Sequence, residues 1–280
     1  LKMQVVEAIE DVRAIRWQDP NVEWGLVTTM GALHEGHLEL VRRAIAENGR
    51  VGVSIFVNPT QFNNPQDLDK YPRDIERDLA MLKTEGVDVV WTPSTDEMYP
   101  PNFQTFVDVE IMSTFLEGAS RLGHFRGVTT VVAKLFNVFQ PTRAYFGQKD
   151  AQQVAIIQQM VRDLAMNLEI IVCPIVREVD GLAMSSRNVR LNQQERKAAR
   201  ILSSALTTAQ NRWDAGERSA AALHSAMRLI IETEPLARVD YVSVADPITL
   251  RELNGQIESA LLSMAVFIGD VRLIDNVIIG

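Results

Sequence analysis

Over about the first 175 residues the apolar positions follow two alternating rhythms, short unbroken runs and helical spacings. Residues 24–28 and 51–57 are short apolar runs, and Asn58-Pro59 closes the second. Residues 38–46 carry helical spacing between them. Ile75, Leu79 and Leu82 put one apolar face on a helix over 74–85, which Gly86 ends before a further run at 87–91. Strands are then expected at 103–109, 144–146 and 168–173. Helices are expected at 129–139, despite its β-branched start, and at 152–164. Strand–helix alternation of this kind implies a parallel sheet with helices on both faces. Ligands of such sheets bind beyond the carboxyl ends of the strands, so the loops that follow the strands are where chemistry is to be sought.

Near Pro174 the pattern changes. Asp180-Gly181 is a turn signal. Asn192, with Glu195 three residues on, reads as a capping box that starts a helix running to about Asn211. A second helix is expected over 219–232 and two strands at 239–244 and 260–268. The chain therefore divides into an α/β domain, residues 1–176, and a smaller α+β domain, residues 177–280.

Composition narrows the class. About half of the 280 residues are apolar, as in a globular protein. With 36 acidic against 28 basic residues the formal charge is −8, which disfavours a polyanion as the main partner while leaving room for a small anion in a local basic pocket. Cys173 is the only cysteine, so no intrachain disulfide forms, and its apolar neighbours mark it as a small core residue. The start, Leu1-Lys2-Met3-Gln4, lacks the long apolar stretch of a signal peptide, and no window approaches a membrane span. The cytoplasm is the expected compartment, with neither membrane nor nucleic acid as a partner.

Four loops carry candidate chemistry. In Met30-Gly31-Ala32-Leu33-His34-Glu35-Gly36-His37, between the first run and a helix beginning near His37, two glycines let the backbone approach a ligand. A helix N-terminus offers N–H groups and a positive dipole end to phosphate. His34 and His37, three apart, share one side of the first turn and can donate to phosphate oxygens as charge builds. A zinc-protease helix needs histidines four apart, and no Cys lies nearby to complete a zinc set. The second loop, Asn58-Pro59-Thr60-Gln61-Phe62, presents amides suited to hydroxyls and carboxylates, although an ordinary turn explains it equally well. In the third, Phe146-Gly147-Gln148-Lys149-Asp150, Lys149 is a point charge for phosphate and Asp150 reads as a cap of the following helix. The fourth, Met184-Ser185-Ser186-Arg187-Asn188, groups two hydroxyls and a guanidinium, as a triphosphate site or a polar linker would.

The H-x-G-H of His34–His37 resembles the signature of the nucleotidylyltransferase superfamily, and the ordered set of motifs resembles the pantothenate synthetases (pantoate–β-alanine ligases) over nearly the whole chain. The matching strings are T-M-G-A-L-H-E-G-H from Thr29, S-I-F-V-N-P-T-Q-F from Ser54, L-E-G-A-S-R from Leu116, G-H-F-R-G-V from Gly123, K-L-F-N from Lys134, F-G-Q-K-D from Phe146, D-G-L-A-M-S-S-R-N from Asp180 and R-L-I-D-N from Arg272. The resemblance implies a Rossmann-like domain with a smaller C-terminal lid, a homodimer, and an ATP- and magnesium-dependent ligase that joins pantoate to β-alanine through a pantoyl-adenylate. It implies an ATP site of Met30, Gly31, Ala32, Leu33, His34, Glu35, Gly36, His37, Gly147, Gln148, Lys149, Asp150, Val176, Met184, Ser185, Ser186 and Arg187. His34, His37, Lys149, Ser185, Ser186 and Arg187 are its expected catalytic members, with His37 in the acid role. Pantoate falls to Gln61 and Gln153, and β-alanine to Gln61, Asn58 and Tyr71; the loop with Glu117, Arg121 and His124 is expected to help close the site. The magnesium ligands are left open, since phosphates supply most of them. Thr28, Gln148 and Ala151 depart from the family's usual Pro, Glu and aromatic residue, with altered packing or kinetics as the expected consequence.

Two other classes compete. One is another H-x-G-H enzyme that transfers AMP to a phosphate, which would lack the S-S-R-N of the second domain. The other is a non-catalytic nucleotide-binding regulator, against which stand the polar residues retained in all four loops. The acidic charge and the lack of an added basic domain disfavour a nucleic-acid-binding role.

Overall fold

The computed structural model describes residues 2–280. In chain order the elements are β1 (Gln4–Val6), α1 (Ile9–Arg16), β2 (Trp24–Thr29), α2 (Glu35–Glu47), β3 (Arg50–Ile55), α3 (Pro65–Asp69), α4 (Ile75–Glu85), β4 (Val89–Trp91), α5 (Thr95–Met98), α6 (Leu116–Ser120), α7 (His124–Phe139), β5 (Arg143–Gly147), α8 (Ala151–Asp163), β6 (Glu169–Cys173), α9 (Gln193–Ala198), α10 (Ile201–Asp214), α11 (Ala220–Ile231), β7 (Ala237–Ala245), β8 (Ala260–Ile268) and β9 (Val271–Ile279). They fall into two compact units. The first holds the chain up to Thr114 with Gly118–Gly147 and Ile156–Cys173; the second holds Phe115–Glu117, Gln148–Ala155 and Pro174–Gly280.

Unit one is built on a parallel sheet in the order β1-β4-β3-β2-β5-β6. Alternate residues of a strand face opposite sides, and β3 uses both. Val51 and Val53 join a core with Val41 and Ala44 of α2 and Leu82 of α4. Gly52 faces the other way, where an added Cβ would lie 2.3 Å from the Phe139 ring of α7. Helices thus cover both faces, as the continuous apolar runs require. The strand order reverses between β2 and β5, so the carboxyl ends of these two neighbours, Thr29 and Gly147, mark the topological switch point.

Unit two has an antiparallel sheet in the order β7-β8-β9. Leu202, Leu206 and Trp213 of α10 and Leu223, Met227 and Ile231 of α11 pack on Leu262, Met264 and Val266 of β8. Strand β9 was not among the strands expected from sequence; it follows β8 through a hairpin at Gly269, whose φ of 56° suits glycine.

Three expected elements differ. Residues 103–109 form no strand. The hydroxyls of Thr129 and Thr130 replace a neighbouring strand: Thr129 Oγ1 donates to the Val107 carbonyl at 2.6 Å, and the Val107 N–H donates to Thr130 Oγ1 at 3.0 Å. The segment therefore lies along α7, with Arg126 stacked on Phe106 at 4.1 Å. Helix α7 starts at His124, five residues before the expected position. The helix expected from Asn192 to Asn211 is two, α9 and α10, separated by a tightened turn. There Arg200 N–H reaches Lys197 O and Leu202 N–H reaches Ala199 O, both three residues back. Among the described residues no helix is long and apolar enough to cross a membrane.

Candidate active site

In unit one, the loop after β2 turns sharply before α2 begins. Gly31 has φ 80° and Ala32 φ 51°, both in the left-handed region, which is costly for Ala32. One buried carboxylate holds this turn: Asp78 of α4, 1% exposed, accepts from Ala32 N–H at 2.7 Å and from Leu33 N–H at 2.8 Å. A side chain on Gly31 would meet Asp78 Oδ2 at 3.1 Å, so the glycine is needed for both its φ and its space. Leu33 is a core side chain, 1% exposed, and can offer a ligand only its backbone. Asp78→Ala would strand two backbone donors; an expected loss of about 2 kcal/mol of unfolding free energy is measurable by urea denaturation. An unchanged midpoint would show that the turn holds itself.

Helix α2 starts at Glu35, two residues before the expected start near His37, with His34 as the extended residue before it (φ −139°, ψ 174°) and His37 in its first turn. The two imidazoles lie 4.1 Å apart, centre to centre, tilted by 39°. His37 Nδ1 accepts the backbone N–H of His34 at 3.3 Å. That bond needs the Nδ1 lone pair, so the neutral ring carries its proton on Nε2 as a donor. Glu35 turns instead along the helix to Arg42, whose guanidinium holds the carboxyl below its usual range.

A second cluster of unit one surrounds Asn58, 1% exposed. Its Nδ2 donates to Gln61 Oε1 at 3.0 Å and to the Gly127 carbonyl at 3.1 Å. Its Oδ1 accepts from the Thr60 hydroxyl at 2.9 Å and from the Tyr99 hydroxyl at 2.8 Å. Burial pushes the Tyr99 phenol up, which keeps that proton in place. Gln61 Nε2 reaches Met30 Sδ at 3.2 Å, so the first and second loops meet. The Gln61 carbonyl lies 2.8 Å from His124 Nδ1 and accepts from Arg121 Nη2 at 3.3 Å. Tyr71, 8% exposed, packs edge-on to Phe62 with 5.8 Å between ring centres.

In unit two, Gln148, Lys149 and Asp150 form a short 3-10 turn leading into α8, which carries Gln153. Lys149 Nζ lies 3.7 Å from Asp150 Oδ2. Gln148 does not point its amide outward; Nε2 donates to Asn276 Oδ1 at 3.0 Å. Glu117 accepts from Arg272 Nη1 at 2.7 Å, and its N–H donates to Gln152 Oε1 at 2.9 Å. Val176 and Met184 are brought together by the Met184 N–H bond to the Val176 carbonyl, at the mouth of a hairpin turning at Asp180-Gly181. Arg196 ties that hairpin to Glu178 and Asp180 at 2.7 Å each and holds the Asp180 carboxyl below its usual range. Ser185 caps the 3-10 turn Ser186–Arg190 by accepting from Arg187 N–H at 3.3 Å.

Sequence reasoning did not pick out Asp78 or Tyr99. Asp78 had a readable signal, a charge on the apolar stripe of Ile75, Leu79 and Leu82; Tyr99 had none.

The family model described as Pantoate-beta-alanine ligase matches residues 4–278. A pantothenate synthetase of Roseiflexus castenholzii is 59% identical over 277 residues, 99% of either chain. The crystal structure of pantothenate synthetase from Thermus thermophilus superimposes with a TM-score of 0.94 at 44% identity, covering 98% of this chain and 99% of that one. The pantoate-beta-alanine ligase of Francisella tularensis, complexed with beta-gamma ATP and beta-alanine, gives a TM-score of 0.81 at 36% identity over 98% and 97% of the two chains.

Proposed function

The chain belongs to the pantoate-beta-alanine ligase family, and from that premise we propose that it condenses pantoate with β-alanine at the expense of ATP in two steps. In the first, a pantoate carboxylate oxygen attacks the α-phosphorus; the bond to the β-phosphate oxygen breaks, leaving pantoyl-adenylate and pyrophosphate. In the second, the β-alanine amine attacks the acyl carbon; the bond to AMP breaks and the amine nitrogen gives up a proton. A free carboxylate is a poor acyl donor, and linkage to AMP supplies the leaving group. The protein's task is then chiefly positioning and charge stabilisation.

The observation that carries this reading is the start of α2 at the switch point of the sheet, with the two imidazoles stacked there and His37 presenting Nε2–H. N–H groups of a helix start, a positive dipole end and an imidazole donor together suit a phosphate chain that gains negative charge as pyrophosphate departs. We assign ATP to residues 30–37, Gly147, Gln148, Lys149, Asp150, Val176, Met184, Ser185, Ser186 and Arg187. Within that set, Leu33 acts through its backbone, and Glu35 and Gln148 through their places in the chain, since their side chains are engaged elsewhere. Lys149 and Arg187 offset the departing charge, and His34, His37, Ser185 and Ser186 stabilise it as hydrogen-bond donors. Gln61 and Gln153 take pantoate. Gln61 and Tyr71 take β-alanine, and Asn58 does so by exchanging one of its present bonds, its amide being fully used.

Magnesium, a homodimer and the cytoplasm belong to this reading by resemblance. Among the described residues no three His, Cys, Asp or Glu side chains converge to hold a metal ion. Magnesium is an ion that favours phosphate oxygens and water, and neither step above runs through it.

Product analysis with each substrate omitted in turn tests the reaction. ATP, magnesium and pantoate alone are expected to release about one pyrophosphate per site and then stall, as a bound adenylate requires. Adding β-alanine should restart turnover with pantothenate and AMP in equal amounts. Pyrophosphate release that strictly needs β-alanine would exclude a separate adenylate step.

A further inference from the structure

Two adjacent polar residues of β9, Asp275 and Asn276, are 2% and 3% exposed, and unit two spends both on chain segments far away in sequence. Asp275 takes Arg177 in a two-pronged pair, Nη1 to Oδ2 at 2.7 Å and Nη2 to Oδ1 at 2.9 Å, and Arg177 Nη1 also donates to the Gly181 carbonyl at 3.0 Å. Oδ1 of Asp275 accepts the Asn276 N–H at 2.8 Å, locking the two residues to each other. Asn276 Nδ2 then donates to two successive carbonyls, of Gln148 at 3.0 Å and of Lys149 at 2.9 Å, while its Oδ1 takes the Gln148 side chain. Both amide hydrogens and the amide oxygen are thereby committed.

We infer that Asn276 is a positioning residue for Lys149, and that the Asp275–Asn276 pair sets the 148–150 turn and the 177–183 hairpin from one strand. The reason lies in peptide geometry. No peptide bond in the described chain is cis, and in a trans peptide the C=O of one residue and the N–H of the next point in opposite directions. Fixing the carbonyls of Gln148 and Lys149 on Asn276 therefore aims the N–H groups of Lys149 and Asp150 the other way, as two adjacent donors in the residues that carry the Lys149 ammonium and, 3.7 Å from it, the Asp150 carboxylate. Successive N–H groups with a cation form an anion-binding arrangement. The residue acts on nucleotide only through this turn. The inference rests on the assignment of Lys149 to ATP proposed above.

The test uses the full chain with Asn276→Ala, which removes the donors, and Asn276→Asp, which sets a carboxylate oxygen against two carbonyls. Kinetics for each substrate are measured alongside hydrogen exchange of residues 148–152 without substrates. For Asn276→Ala the KM for ATP is expected to rise about tenfold, with a larger rise for Asn276→Asp, while the KM values for pantoate and β-alanine stay within about twofold. The Lys149 and Asp150 amides should exchange faster, and the pyrophosphate burst should stay near one per site. Folded variants with wild-type ATP KM and unchanged exchange overturn the proposal. So does an equal change for all three substrates with a reduced burst, which marks a general folding role, or failure of both variants to fold. A wild-type chain that makes no pantothenate sinks the assignment to ATP, while faster exchange in the variants still establishes that Asn276 holds the turn.

Discussion

His37→Ala is expected to slow pantoyl-adenylate formation by about 100- to 1,000-fold, the usual cost of removing one preorganised donor from developing charge. The direction follows from the hydrogen bonding at the start of α2. His37 Nδ1 is held by the His34 N–H, so the ring is fixed in orientation and in tautomer before any substrate arrives. A donor prepared in this way is strengthened by charge that appears only as pyrophosphate leaves, so its loss falls on turnover more than on ATP binding. Folding should change little, because His37 is only partly buried and lies in the first helical turn. His34→Ala should act in the same sense, since it removes the ring stacked 4.1 Å from His37. The second half-reaction, started from supplied pantoyl-adenylate, contains no triphosphate and should keep most of its rate. Rapid-quench assays of the two halves separate the outcomes. Equal slowing of both would assign the pair to general positioning, and unfolding of both variants would make it structural.

The loop that carries these histidines was legible because glycines punctuate it between an apolar run and a helical spacing. The start of its helix was misplaced by two residues because His34 is not among the usual Ser, Thr, Asp and Asn caps. Local pattern failed where the partner was remote. Residues 103–109 have strand-like side chains, yet the hydroxyls that satisfy them sit on α7. Gln148 and Asn276 meet across 128 positions, a pairing no periodicity encodes. The loop at Asn58 was evenly balanced between a site and a turn when read from its residues, and only the ordered set of motifs gave it substrates. The structure adds what neither reading contained: Asn58 is the centre of a saturated network, and that network leans on a glycine.

Gly127→Ala is expected to lower kcat/KM for pantoate by about 100-fold, the scale on which a displacement of roughly 1 Å acts. Gly127 lies in α7, where its carbonyl accepts from Asn58 Nδ2. A Cβ built there would lie 2.5 Å from the Thr60 carbonyl oxygen, 2.7 Å from its carbon and 2.8 Å from the Gln61 nitrogen. All three are backbone atoms, so no side chain can swing aside, and either α7 or the 59–61 turn must move. The turn is the more exposed of the two, which directs the displacement onto Gln61, the residue assigned to both pantoate and β-alanine. Moving it also strains the Asn58 bonds to Gln61 and Gly127 and the His124 contact with the Gln61 carbonyl. Overpacking of this kind typically costs about 1–3 kcal/mol of stability, which leaves a folded enzyme to assay. The KM for ATP should change less than that for pantoate, because Thr60 and Gln61, which the added Cβ meets, are not assigned to the nucleotide. A variant with wild-type kinetics for pantoate would mean that α7 yields instead of the turn, and the coupling of Gly127 to Gln61 would then be wrong.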